Sequence, residues 1–234
     1  MEVDFKNITV VGFDADDTLW VNETYFRETE ERFADLLETF ETRNKIDQEL
    51  FKMEMQNLEL YGYGIKGFVL SMIESDLELS NNTIAQEALH KILHLGKEMI
   101  QHPVELLDGV EEVLQVLSKN YRLIVLTKGD LLDQERKLEK SGLSRYFHHV
   151  EVLSDKKEEN YKNLLEHLEI PVDSFLMVGN SLKSDVIPIL NIGGQAVHIP
   201  FHTTWAHEMV SGEEEQQNHH LKLNSLRDIL KYLN

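Results

Sequence analysis

The chain of 234 residues contains no cysteine. That absence excludes disulfide bonds, thiolate metal sites and a cysteine nucleophile, although it says little about the cellular compartment. No apolar run approaches the length that a membrane-spanning helix requires, so we expect no membrane association. The N-terminus also lacks a basic region followed by an apolar stretch and a cleavage site. We therefore expect no secretory signal and take the cytoplasm as the default location.

Basic residues are scarce as well. The chain has 23 Lys and Arg against 42 Asp and Glu, which gives a formal net charge of −19. Affinity for nucleic acid comes largely from Lys and Arg that neutralise phosphates, so this balance argues against a nucleic-acid partner. A small phosphorylated substrate stays compatible with the charge if local cations hold its phosphate. The hydrophobic fraction of 41% and the charged fraction of 28% are typical of a soluble globular protein.

The most informative segment is 8–19, where a short apolar run ends in the carboxylates of Asp14, Asp16 and Asp17. Charge is costly to bury unless it is paired or bound to metal, so we expect a buried strand whose carboxyl end opens into a site. In open α/β sheets ligands bind at that end of the strands. Two Asp separated by one residue and followed by Thr18 suit metal-assisted phosphoryl transfer through an aspartyl nucleophile.

After this segment, apolar residues recur at helical spacing as far as about residue 102. Beyond residue 102, strand-like runs alternate with helical ones. The alternation predicts an α/β fold with a doubly wound, Rossmann-like parallel sheet. We therefore predict a core domain of residues 1–20 and 103–234, interrupted by an inserted all-helical domain of residues 21–102 that can act as a lid. The polar segment Ser211–His220 is predicted to be an exposed loop.

Within the insertion, the apolar spacing from Phe26 to Phe40 predicts a first helix, and Asp47 is a candidate cap for a second. The segment Tyr61–Gly64 interrupts the helical pattern and predicts a break between two helices.

Four segments with chemically active side chains could meet at one edge of the sheet. They are Asp14–Thr18, Thr127–Gly129, Lys156–Lys157 and Gly179–Asp185, and three of them directly follow strand-like runs. A carboxylate can attack phosphorus, and a second carboxyl can protonate the leaving oxygen. A Thr hydroxyl and backbone N–H groups can hold the phosphoryl oxygens, while a Lys compensates charge. Two carboxylates and a substrate phosphate suit Mg²⁺. Each segment alone is a weak signal, whereas all four in this order indicate one site.

In the order and spacing of these motifs the chain resembles hydrolases of the haloacid dehalogenase superfamily, and its helical insertion resembles that family's C1-type cap. The resemblance implies a magnesium-dependent phosphatase of a small phosphorylated metabolite. It implies that Asp14 is the nucleophile that forms an aspartyl-phosphate, that Asp16 is the general acid/base and also binds metal through its backbone carbonyl, and that Thr127 binds the phosphoryl group. It also implies that Lys156 compensates charge and that Asp185 is a magnesium ligand.

Two positions depart from the family pattern. The fourth motif usually begins Gly-Asp, whereas Asn180 stands here as a neutral metal ligand, which removes one formal charge from the metal site. The residue after Thr127 is often Asn and here is Lys128, which could add positive charge near the phosphate or point into solvent. Lys156 is preferred to Lys157 as the active-site lysine because it lies nearer the strand end.

Asp16 separates the possible reactions. A dehalogenase has no leaving alkoxide to protonate and does not need a carboxyl at this position, so phosphoryl transfer is preferred. A phosphomutase of the same fold, a dehalogenase and a non-catalytic binding protein stay open as alternatives. The candidates for binding phosphate or substrate are Thr18, Lys128, Gly129, Tyr63 and Lys66. The last two lie in the Gly-rich break between helices, which could instead be a simple packing turn. The substrate and the oligomeric state stay open.

Overall fold

The structure is a computed structural model that describes residues 5–83, 85–211 and 220–233. The chain divides into two compact units. The first contains Met1–Glu23, Val104–Lys128 and Arg136–Asn234, and the second contains Thr24–Pro103 and Gly129–Glu135. No helix within the described ranges combines the length and the apolar character needed to cross a membrane. Apart from its two end residues, the predicted loop Ser211–His220 lies outside the described residues.

The described part of the first unit contains a six-stranded parallel sheet. Its strands are β1 (Val10–Phe13), β2 (Arg122–Lys128), β3 (His149–Leu153), β4 (Phe175–Gly179), β5 (Gln195–His198) and β6 (Leu221–Lys222). Their spatial order is β3-β2-β1-β4-β5-β6, and every neighbouring pair is parallel. This order confirms the predicted doubly wound, Rossmann-like α/β fold. β2 and β3 lie on one side of β1, and β4, β5 and β6 lie on the other. The strand order therefore reverses between β1 and β4, and ligands bind at the carboxyl ends of the strands at such a switch point.

The helices are α1 (Glu23–Leu37), α2 (Arg43–Tyr61), α3 (Ile65–Leu79), α4 (Gln86–Gln101), α5 (Val110–Leu117), α6 (Leu131–Ser141), α7 (Glu158–His167) and α8 (Ile187–Asn191). A single π-helical turn, Leu182–Val186, precedes α8, and a 3-10 helix, Leu226–Lys231, follows β6.

Alternate residues of the strands pack into two separate hydrophobic clusters, one on each face of the sheet. Val11 and Val125 pack in one cluster with α5 and the 3-10 helix, whereas Val10 and Ile124 pack in the other with α7 and α8. This division follows from the two-residue period of a strand. Because both faces of the sheet are covered, the central strand β1 is apolar throughout, and all four of its residues are buried.

The second unit has a hydrophobic cluster of its own, to which α1, α2, α3 and α4 all contribute. Two local expectations for this unit were wrong. Phe40 lies beyond the end of α1 and is exposed, because the backbone N–H groups of residues 40 and 41 bond back to the carbonyl of Leu37 and turn the chain. Asp47 lies inside α2, which begins at Arg43 with Thr42 as the preceding cap residue. The predicted break after α2 is present, with Gly62 and Gly64 at φ of 72° and 107°.

Candidate active site

Asp14 is the first residue after β1, and it is buried. Its backbone N–H donates to the carbonyl of Val178 on β4 at 2.9 Å, so the hydrogen-bonded ladder continues to the strand end. The side chain of Asp14 therefore starts from the carboxyl edge of the sheet, beside the switch point between β1 and β4. Ligands bind at this edge in open α/β sheets.

Lys156 joins Asp14 to Asp185. Its Nζ donates to Asp14 Oδ1 at 2.5 Å and to Asp185 Oδ1 at 2.7 Å, and its side chain is only 1% exposed. The adjacent Lys157 forms an ion pair with Asp155 and its side chain is 75% exposed. Lys156, and not Lys157, is thus the lysine that contacts the buried carboxylates.

The charges of this cluster do not cancel. Burial raises the pKa of Asp14 to about 7; Lys156 opposes this increase and the nearby charge of Asp185 adds to it. Burial lowers the pKa of Lys156, but the attraction of the two carboxylates outweighs it and holds that pKa above its ordinary value. The ammonium therefore stays protonated between two carboxylates. When both are ionised, the cluster contains one surplus negative charge in a buried place, where charge is costly.

Gly179 allows Asp185 to approach β4 closely. A Cβ atom at position 179 would lie 2.2 Å from Asp185 Oδ2, so a larger residue would displace the carboxylate. Oδ2 accepts a hydrogen bond from the backbone N–H of Ser181 at 2.9 Å, while Oδ1 accepts from Lys156. The π-helical turn Leu182–Val186 contains Asp185, and such turns occur frequently at functional sites. Asp185 is thus fixed at both carboxylate oxygens.

Thr18 connects the first motif to the fourth. Its Oγ1 lies 3.1 Å from Asp14 Oδ2 and 3.3 Å from Asn180 Oδ1. Since a hydroxyl has one proton, it donates to one of these oxygens at a time. The backbone carbonyl of Asn180 lies 3.0 Å from Nε2 of His198. The structure therefore brings Thr18 and Asn180 into the group formed by Asp14, Lys156 and Asp185.

The donors of this group that could hold a metal are all oxygens. They are the carboxylates of Asp14 and Asp185 and the side-chain carbonyl of Asn180. In the described ranges no three or more His, Cys, Asp or Glu side chains are grouped to hold a metal, so amide and main-chain oxygens would have to contribute. Oxygen donors and a surplus negative charge suit Mg²⁺, which keeps several waters and needs only one or two carboxylates. These residues fit that ion.

The side chain of Asp16 is held by two donors. Trp20 Nε1 and Lys137 Nζ both donate to Asp16 Oδ1, at 2.7 Å and 2.9 Å. Lys137 also donates to Oδ1 of Asn22 at 2.8 Å. Sequence reasoning missed Lys137, because it is one of two lysines in the polar sequence of α6 and no motif distinguishes it.

The next residue, Asp17, has a local structural role. Its backbone is in the left-handed region with φ of 62°, and its carboxylate accepts hydrogen bonds from the backbone N–H groups of Asn22 and Glu23. Burial raises the pKa of Asp17 to about 7, and the bond from Asn22 opposes this increase. Asp17 thus satisfies N–H groups at the start of α1 that the helix itself leaves unpaired.

Thr127 and Lys128 stand at the end of β2. Thr127 is buried, and its hydroxyl donates to the backbone carbonyl of Lys128 at 3.2 Å. Lys128 Nζ donates to Ser184 Oγ at 2.9 Å and forms an ion pair with Glu208 at 2.5 Å. The Lys128 side chain is 14% exposed, so its ammonium does not point into bulk solvent.

Glu208 is a second residue that sequence reasoning missed. Its other oxygen, Oε2, accepts hydrogen bonds from the hydroxyls of Ser181 and Ser184, at 2.6 Å and 2.5 Å. Burial alone would raise the pKa of Glu208, but Lys128 and the two serine bonds outweigh it and lower that pKa to about 2. Glu208 thereby links the end of β2 to the loop after β4. It stands in a stretch of sequence without a motif, so no local signal could have identified it.

The remaining candidates, Gly129, Tyr63 and Lys66, belong to the second unit. Lys66 Nζ forms an ion pair with Asp130 at 2.9 Å. Gly129 has φ of 129°, and a Cβ there would lie 2.8 Å from the side chain of Gln134. Within this unit Lys66 is therefore already paired with a carboxylate, and position 129 requires glycine.

The family model for haloacid dehalogenase-like hydrolases matches residues 8–193. A haloacid dehalogenase-like family hydrolase from Xanthomonas campestris is 40% identical, with a TM-score of 0.80, over 88% of this chain and 87% of that one. The HAD-hydrolase YfnB from Bacillus subtilis, described as bound to magnesium, shares the fold at 17% identity, with a TM-score of 0.64 over 98% of this chain and all (100%) of that one.

Among curated relatives, the N-acylneuraminate-9-phosphatase of Mus musculus is 31% identical over 102 residues. That alignment spans 42% of this chain and only 41% of the relative's length. The match therefore covers less than half of either protein.

Proposed function

The chain belongs to the haloacid dehalogenase-like hydrolases, and from that premise we propose that it is a magnesium-dependent phosphatase of a small phosphorylated metabolite. One observation supports this proposal above the others: Lys156 is buried between Asp14 and Asp185 at the carboxyl edge of the sheet. The cluster offers a nucleophilic carboxylate, a fixed cation beside it and a second carboxylate for a metal. A fold hosts many reactions, so the choice among them rests on these groups.

The proposed reaction has two steps. A carboxylate oxygen of Asp14 attacks the phosphorus of the bound ester, and the bond between phosphorus and the leaving oxygen breaks. Asp16 donates a proton to that oxygen, so the product leaves as a neutral alcohol. Water then attacks the phosphorus of the aspartyl-phosphate and gives its proton to Asp16, which releases inorganic phosphate and restores Asp14.

Other residues hold the reacting groups in this proposal. Lys156 compensates the negative charge that builds up between Asp14 and the phosphate, and the hydroxyl of Thr127 binds a phosphoryl oxygen. The oxygens of Asp14, Asp185 and Asn180, with the backbone carbonyl of Asp16, would hold Mg²⁺, which would supply positive charge to the phosphoryl oxygens.

Asp16 favours a phosphatase over a dehalogenase. Its carboxyl is needed to protonate a leaving alkoxide, whereas displacement of a halide needs no proton donor. The name of the mouse relative, a phosphatase, supports the same choice. For this reason N-acylneuraminate 9-phosphate belongs in the first panel of test substrates.

We also propose that residues 21–102 form a helical cap domain that selects the substrate. Tyr63 and Lys66 are its candidate binding residues, and an anionic substrate would compete with Asp130 for Lys66. The core domain then comprises residues 1–20 and 103–234. A cytoplasmic location and the absence of a nucleic-acid partner stay predictions.

Phosphate release from a panel of small phosphate esters, with Mg²⁺ and with EDTA, tests the function. We expect release that requires Mg²⁺ and disappears in Asp14→Asn. The matched control is Asp173→Asn, an exposed Asp before the amino end of β4, which should behave as wild type. Release by a well-folded Asp14→Asn protein would contradict the proposal. A sugar phosphate that isomerises without release of phosphate would indicate a phosphomutase instead.

A further inference from the structure

Lys137 and Trp20 direct their N–H groups at the same oxygen of Asp16, at 2.9 Å and 2.7 Å. From this geometry we propose that both are positioning residues, which fix the Asp16 carboxyl so that it delivers its proton from Oδ2 to the leaving group. The inference rests on the proposed phosphatase function. It assigns to Lys137 a role in the reaction that no motif of the sequence predicts.

Trp20 and Lys137 both donate to Oδ1 of Asp16. A carboxyl oxygen has two lone-pair directions, and here one is used by an indole N–H and the other by an ammonium. Oδ1 cannot also hold the acid proton while it accepts both bonds. The proton that general acid catalysis requires therefore resides on Oδ2. The two donors also stop the carboxyl group from rotating to exchange its oxygens.

Both donors are themselves held in place. Trp20 is almost completely buried, its backbone carbonyl accepts from the N–H of Asp17 at 2.7 Å, and it forms a β-bridge with Leu106. The ammonium of Lys137 is shared between Asp16 and Asn22 Oδ1, so it is directed by two acceptors at once.

The Lys137–Asp16 pair differs from an ordinary surface ion pair. The side chain of Lys137 is 16% exposed and that of Asp16 is 23% exposed. Exposed pairs contribute little because solvent screens them and both side chains are mobile. Here both side chains are largely shielded from solvent, so the ammonium holds the Asp16 carboxyl group in one orientation.

The proposal predicts a dependence on the leaving group. An aryl ester such as p-nitrophenyl phosphate releases a stable phenolate, which needs little protonation. An alkyl phosphate releases a strongly basic alkoxide, which depends on the acid. Loss of the positioning residues should therefore slow the alkyl ester far more than the aryl ester, whereas damage to the fold or to phosphate binding would slow both equally.

The experiment compares kcat for p-nitrophenyl phosphate and for the alkyl phosphate that wild type hydrolyses fastest in the panel. We expect Lys137→Met to lower kcat for the alkyl ester about ten-fold more than kcat for the aryl ester, which is part of the 10²–10⁴-fold effect typical of general acid catalysis. Trp20→Phe, which removes the indole N–H, should show the same bias, and Lys137→Arg should restore most of the alkyl rate. Lys140→Met, an exposed lysine on the same helix, is the control and should change neither rate.

Three results would overturn the proposal. Equal losses on both esters in Lys137→Met would show a structural role only, and unchanged rates would show no role. If Lys137→Met does not fold, Trp20→Phe decides in the same way, because an unbiased loss there contradicts the shared positioning of Oδ1. A wild-type protein that hydrolyses neither ester would instead contradict the proposed function, which separates the two failures.

Discussion

Replacing Lys156 by Met should destabilise the first unit strongly. The substitution keeps a long side chain in the buried space but removes the ammonium between Asp14 and Asp185, and so leaves two carboxylates without compensation. Removing one partner of a buried ion pair typically costs about 3–5 kcal/mol. The neighbouring Lys157 provides a matched control, because its ion pair with Asp155 is exposed, and exposed pairs contribute about 0–1 kcal/mol.

Thermal unfolding in EDTA, followed by tryptophan fluorescence, measures the difference. Trp20 and Trp205 are the two tryptophans of the chain, and both lie in the first unit, so the signal reports on the unit that contains the cluster. For a chain of this size 1 kcal/mol corresponds to about 2–4 °C. Lys156→Met should therefore lower Tm by about 10 °C at pH 8, and Lys157→Met by no more than about 4 °C.

The Tm deficit of Lys156→Met, which is its difference in Tm from wild type, should also depend on pH. Asp14 already has a folded pKa of about 7, above its ordinary value of 3.8. Loss of Lys156 removes the positive charge and the hydrogen bond that lower this pKa. A group with a raised folded pKa contributes stability below its unfolded pKa, and the contribution is lost as pH rises through the folded pKa. The deficit should thus be smaller at pH 5, where Asp14 is protonated, than at pH 8. Equal Tm values for the two lysine variants, or a deficit that grows toward pH 5, would refute this account of the cluster.

Three further predictions concern the surroundings of Asp185. Gly179→Ala should lower Tm by an amount corresponding to about 1–3 kcal/mol and reduce kcat, because its Cβ would meet Asp185 Oδ2; normal kinetics would contradict this. Asn180→Asp should lower the Mg²⁺ concentration for half-maximal activity about ten-fold, since it adds a charge to the oxygen donors, and an unchanged concentration would argue against Asn180 as a ligand. Glu208 has a folded pKa lowered from 4.5 to about 2, so it stabilises the fold by about 3 kcal/mol above pH 4.5 and loses this contribution as pH falls toward 2. Denaturation curves of Glu208→Gln should show less loss of stability between pH 5 and pH 3 than wild type, and an equal loss in both proteins would contradict the assignment.

The sequence predicted the sheet well because a buried parallel strand has a distinct composition. Val10–Phe13, whose four residues are all buried, lies inside the apolar run that ends at Asp14. The last strand, β6, was not predicted, since one half-buried and one exposed residue produce no apolar run or alternation. The helical spacing of residues 184–191 predicts one helix, but the first part of this segment belongs to a π-helical turn, which helical spacing does not distinguish.

The site could be predicted only where its residues follow strands. Asp14, Lys156 and Asp185 lie close together because the carboxyl ends of neighbouring parallel strands share one edge. Lys137 and Glu208 contact residues of the site that are distant from them in the sequence. Lys137, for example, is 121 positions from Asp16. No local pattern encodes a contact of that kind, so one sequence without its fold could not identify these two residues.

The most direct test of the central claim is to look for the phosphoryl group on Asp14. The protein is mixed with its best phosphate ester and Mg²⁺, quenched in acid during turnover, digested and examined by mass spectrometry. We expect one phosphoryl group on the peptide that contains Asp14, lost on treatment with hydroxylamine and absent from Asp14→Asn. A phosphoryl group on another residue of a turning-over enzyme, or turnover without any phosphoryl-enzyme, would contradict the central claim.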